Sequence, residues 1–187
     1  AEQVASAIRP SAPPVDEVNG FLGYFDAAAK QTSCGNCHAS TQTSWVTSAH
    51  ANAWEDLQAS GPQAFCNGCH TVSELGNAAA APAGYNAVAD ETYHDVQCES
   101  CHGPGVIHAT TPDASEPPLA SLRAKIDNTS GTCGDCHAGA HHPFVEEWAQ
   151  SIHSLARHTD EAECVACHEG RGALEAWGME SRFIESA

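Results

Sequence analysis

The pentapeptide CESCH, Cys98–His102, sets two cysteines three positions apart with a histidine directly after the second. The same arrangement recurs as CGNCH (Cys34–His38), CNGCH (Cys66–His70), CGDCH (Cys133–His137) and CVACH (Cys164–His168), and it takes up all 10 cysteines of the chain. Disulfide frameworks and zinc sites both use paired cysteines. Neither chemistry requires a histidine after the second cysteine every time.

Composition narrows the choice. Val, Ile, Leu and Phe supply 27 of 187 residues, and the formal net charge is −17. That lies below the roughly 20% of large apolar residues expected of a chain that folds on its own side chains. An apolar group that is not an amino acid is therefore needed to complete the core. Covalent haem c meets both demands, because the two thiols add to the haem vinyl groups and the next imidazole becomes an axial iron ligand. On this reading five haem c groups are attached through Cys34, Cys37, Cys66, Cys69, Cys98, Cys101, Cys133, Cys136, Cys164 and Cys167. His38, His70, His102, His137 and His168 are the proximal iron ligands.

Such attachment takes place outside the cytoplasm. The sequence opens Ala1-Glu2-Gln3 without a methionine or hydrophobic leader, so a periplasmic or extracellular protein with its signal peptide removed is expected. No run approaches the ~18 apolar residues of a membrane span.

The first cysteines fall at 34, 66, 98, 133 and 164, at intervals of 32, 32, 35 and 31. This near-regular spacing points to a repeated unit with one haem per unit. The segments Trp45–His50 and Trp148–His153 both read W-x-x-S-x-H, which suggests a duplication relating residues 34–70 to 133–168. The expected fold is mainly α with much irregular loop and few or no strands. Residues 1–20, with PSAPP at 10–14, read as an extended arm, and 21–187 as a single domain. Helices are expected over 41–59, from Phe144 to about Arg157, and over 172–186, with loops at 76–84 and 110–118.

Seven histidines lie outside the motifs: His50, His94, His108, His141, His142, His153 and His158. Each haem iron has a sixth position that imidazole commonly fills, so the chain holds enough histidines to saturate all five. His50 and His153 sit in the duplicated segment; His94 and His108 flank the third motif. For the fifth place His142 is chosen over His141 and His158. Trp45 and Trp148 read as haem-packing aromatics rather than electron relays, and Met179 is remote from any motif.

The run CGNCHASTQTSWVTSAHANAWEDL (34–57) and the run VQCESCHGPG (96–105) closely resemble the tetrahaem cytochromes c that accept electrons from hydroxylamine oxidoreductase in ammonia oxidisers. The likeness covers about residues 34–108. It implies tightly stacked haems, with His108 serving the first haem and His50 crossing to the third. That family has four haems, the second open on one side. Here there are five motifs, and His94 stands where the family has no histidine, which suggests that the open site is closed. The stretch from His141 to Gly170 resembles a unit common in larger multihaem cytochromes.

An iron with histidine on both sides has no place for substrate, so the expected role is a short electron-transfer wire rather than an enzyme. Two alternatives are carried. One is a subunit of an extracellular cytochrome filament, with the N-terminal arm and Leu174, Trp177, Phe183 and Ile184 as contacts. The other is a multihaem reductase or oxidase of a small nitrogen or sulfur compound at one open haem. The charge of −17 disfavours nucleic acid and anionic membrane surfaces, and favours redox partners with basic patches.

Overall fold

The computed structural model describes residues 13–77, 79–110, 133–139, 141–155 and Cys164. Its contacts divide the chain into two units, Ala1–Ala138 and Gly139–Ala187, where the sequence suggested one domain over 21–187.

The first unit is built from short helices joined by irregular loop. Its two strands, β1 (Tyr24–Asp26) and β2 (Gln31–Thr32), form a small antiparallel hairpin. The helices that follow are α1 (Ala39–Trp45), α2 (Ala53–Ala59), α3 (Asn67–His70), α4 (Tyr85–Val88), α5 (Cys98–His102), α6 (Val106–Thr110) and α7 (Gly134–His137). In the second unit α8 (Phe144–Gln150) leads into a 3-10 turn at Ile152–Leu155. The mainly α class with much loop agrees with the sequence reading. The helix expected over 172–186 lies outside the described residues.

The helix expected over 41–59 is three pieces: α1, a 3-10 turn at Ala49–Asn52, and α2. Long-range partners explain the breaks. The His50 carbonyl accepts the Val96 N–H at 3.1 Å, and the Ala51 carbonyl accepts the Lys30 ammonium. The His50 carbonyl also accepts the Ala53 N–H of the 3-10 turn, and the Trp54 N–H that an α-helix would bring to it goes to Asp95 Oδ1 at 2.8 Å. Ser48, extended at φ −88° and ψ 161°, parts α1 from the turn.

The apolar core of the first unit is small. Phe21, Val72, Ala83 and Tyr93 are wholly buried, with Ala79 and Tyr85 packed against them. The Tyr93 hydroxyl donates to the Phe21 carbonyl (2.7 Å) and accepts the Asp16 N–H (2.8 Å). Asp16 is 2% exposed and accepts the Gly84 N–H at 2.7 Å. Residues 16–20, assigned from sequence to the arm, are therefore part of the folded body.

Candidate haem-binding centres

Four of the motifs form single turns of helix, at Cys34–Asn36, α3, α5 and α7; of the fifth, Cys164 is described and is helical. A helical turn places residues i, i+3 and i+4 on one face, so both thiols and the imidazole of each of these four motifs face the same side. Backbone bonds close the turns: the N–H of His38 reaches the Cys34 carbonyl at 2.9 Å, and that of His137 the Cys133 carbonyl at 2.8 Å. Among the described residues none of the nine cysteines is in a disulfide, which leaves each sulfur for a haem vinyl group. Cys167, His158 and His168 lie outside the described residues.

The first motif is keyed into the hairpin. Thr32 Oγ1 accepts the Gly35 N–H (3.0 Å) and donates to Gln42 Oε1 (2.7 Å), which ties the motif to α1. Gln42 in turn donates to the Lys30 carbonyl at 2.8 Å.

In the second motif His70 Nδ1 lies 2.9 Å from the Ala53 carbonyl oxygen. A carbonyl only accepts, so Nδ1 carries the proton and Nε2 keeps its lone pair for a metal. This is the arrangement of a metal-binding histidine whose ring is held from behind.

Two histidine pairs face each other. The rings of His38 and His108 are 6.3 Å apart and 21° from parallel, and those of His50 and His137 are 5.9 Å apart at 44°. Two imidazoles bonded to opposite sides of one metal at about 2 Å, with each ring centre about 1 Å beyond its nitrogen, sit about 6 Å apart. The resemblance sends His50 to the third haem; the structure sets it against His137 of the fourth motif.

His94 stands differently. Its ring is stacked on the Trp54 indole at 3.9 Å and 12°, with Tyr85 at 5.5 Å. Among the described residues no other imidazole faces it. Burial pushes its pKa below the usual histidine value. In the second unit the His142 ring lies 6.2 Å from Phe144, beside His141, and His153 is exposed on the turn after α8.

The motifs also touch one another, out of sequence order. The Cys34 and Cys98 thiols are hydrogen-bonded, which raises the pKa of Cys34 and lowers that of Cys98. Cys69 and Cys136 form a second such pair, holding Cys69 down at about 7 and pushing Cys136 well up. Burial, and then the neighbouring Cys133, raises the pKa of Cys101. Partial desolvation and the neighbouring His38 lower the His102 imidazole. Motif one thus neighbours motif three, three neighbours four, and four neighbours two.

A buried polar network braces this array. Asp95 accepts from the Tyr24 hydroxyl (2.7 Å) and the Trp54 N–H (2.8 Å), and lies 3.7 Å from the Lys30 ammonium. Burial, then the Asp95 bond, raises the Tyr24 pKa. Trp45 donates its indole N–H to the Val96 carbonyl at 2.9 Å and packs on Tyr24. Sequence reasoning missed Asp95, Trp54 and Glu99. Only Glu99 left a signal, as a charged residue inside a CxxCH motif.

The donor set fits haem. Among the described residues no group of three or more His, Cys, Asp or Glu is arranged to hold a bare metal ion. Haem asks the chain for at least one axial ligand and apolar cover. Phe65, Ile107 and Ile152, each directly before a motif cysteine or a candidate distal histidine, are 72%, 64% and 85% exposed on the protein alone.

Among the described residues no helix is long and apolar enough to cross a membrane. No curated protein and no solved structure matches the chain. Residues 33–103, which span the first three motifs, match the family model described as cytochrome c554 and c-prime. The match and the motif geometry together support a multihaem c-type cytochrome that carries covalent haem and serves electron transfer.

Proposed function

We propose that the protein is a pentahaem electron carrier with histidine on both sides of its irons. The observation that carries this reading is the pair of facing imidazoles, His38 with His108 and His50 with His137, each at the spacing that one shared metal demands. Bound haem supplies the one-electron chemistry. The chain's residues fix how the groups are attached, ligated and spaced. Cys34 to Cys167 anchor them in pairs, and His38, His70, His102, His137 and His168 ligate from the proximal side. His50, His94, His108, His142 and His153 are the proposed distal ligands, with His94 held by Trp54 beside the second motif.

The thiol contacts support a spatial order of motifs one, three, four, two. Electrons then pass along an array whose order differs from that of the chain. Covalent attachment places the protein in the periplasm or outside the cell. Its partners are redox proteins with basic patches: among the described residues Lys30 is the one Lys or Arg, and its ammonium is engaged by Ala51, Asn52 and Asp95.

Electron paramagnetic resonance of the fully oxidised protein, with haem content measured alongside, tests the reading. Five haems and only low-spin ferric signals are expected. A high-spin signal from about one iron in five would mean an open iron, and would favour reductive catalysis at that site.

A further inference from the structure

Glu99 lies inside the third motif and is 3% exposed, yet among the described residues no cation forms an ion pair with it. A buried carboxylate without a counter-ion is costly unless hydrogen bonds replace its water. Three backbone N–H groups do so: Leu22 (3.0 Å) and Gly105 (2.7 Å) on Oε1, and Gly23 (2.7 Å) on Oε2. They come from two separate segments.

Gly105 directly precedes α6, and its carbonyl accepts the Ala109 N–H at 2.9 Å. The next residue, Val106, donates to the Gly20 carbonyl at 3.2 Å. Close approach is built in. A Cβ on Gly20 would stand 2.5 Å from Val106 Cγ1, and one on Gly23, at φ +63°, would stand 2.5 Å from the Thr92 carbonyl oxygen. One carboxylate therefore ties the third motif, the 20–23 segment and the start of α6 into a single knot. His108 sits on that short helix, with its ring 6.3 Å from His38 of the first motif.

We propose that Glu99 is a positioning residue: through Gly105 and α6 it holds His108 on the iron of the first haem, although Glu99 itself belongs to the third motif. This rests on the ligation reading above. It makes the coordination of one haem depend on the motif of its neighbour.

The test compares the holoprotein with its His108→Ala, Glu99→Ala and Glu99→Asp variants by paramagnetic resonance and haem content. In His108→Ala, about one iron in five should turn high-spin; if none does, the ligation reading fails. Glu99→Ala should show the same high-spin fraction with all five haems still attached, and added imidazole should return it to low-spin. Glu99→Asp keeps the charge and the packing but is one methylene too short to reach both segments, so it should give a smaller fraction of the same signal. If both Glu99 variants remain wholly low-spin while His108→Ala does not, Glu99 does not position His108. Loss of the third haem instead of a spin change would likewise overturn the proposal, making Glu99 an attachment residue.

Discussion

The imidazole of His94 lies flat on the indole of Trp54, with centroids 3.9 Å apart and planes 12° from parallel. Trp54 is fixed from behind by its own N–H bond to Asp95 and is flanked by Tyr85, 5.1 Å away. Removing the indole takes away the face His94 rests on. Trp54→Ala should cost about 2 kcal/mol, less than a fully buried tryptophan because Trp54 is half-buried. Trp54→Phe should recover roughly half of that. Denaturant unfolding followed by circular dichroism checks both values.

The two facing pairs predict a simple addition. If His50 and His108 serve separate irons, the His50→Ala/His108→Ala double variant should show twice the high-spin fraction of either single one, about two irons in five. A double variant no worse than the singles would mean that the two histidines share a site.

Burial pushes the Glu99 carboxyl up from 4.5 to about 7, against three backbone N–H bonds that pull it down. Between those values the folded protein still holds a proton that the unfolded chain has released. Stability therefore falls as pH rises from about 4.5 to about 7, by on the order of 3 kcal/mol, and levels off above. Melting curves across this range should show the slope, and Glu99→Gln, which does not titrate, should flatten it.

Lys30 gathers Ala51, Asn52 and Asp95 around one ammonium, with Glu55 at 3.9 Å. Its left-handed backbone (φ 51°) turns the hairpin so that the side chain reaches them. Lys30→Ala leaves the buried Asp95 without its cation and should destabilise by about 2–3 kcal/mol. Tyr24→Phe, which removes one bond to the same carboxylate, should cost about 1 kcal/mol.

An acidic surface whose one described cation is already engaged should make partner association sensitive to salt. The association rate with a lysine-rich monohaem cytochrome c, measured by stopped flow, should fall roughly tenfold from low to physiological ionic strength. A flat salt profile would remove charge from the recognition.

The parts of this molecule legible in sequence are those fixed by local spacing. Cys34, Cys37 and His38 share a face because a helical turn puts them there, whatever the rest of the chain does. The histidines next to motifs, His94 and His108, were singled out by proximity alone; that one would rest on Trp54 and the other face His38 was not to be read there. What stayed hidden depends on partners far along the chain. No local pattern announces that Asp16 will accept the Gly84 N–H, or that Asp95 will take the Trp54 N–H away from a continuous helix. Glu99 was visible as an oddity, but its meaning needed the positions of Leu22, Gly23 and Gly105.

The thiol contacts between Cys34 and Cys98, and between Cys69 and Cys136, interleave the repeats. In an ordinary solenoid each unit touches only the next, and units are gained or lost at little cost. Here every unit in the first body leans on one that lies two places away in the chain. Excising the third would strand the first, and excising the fourth would strand the second. Such an architecture resists deletion from within.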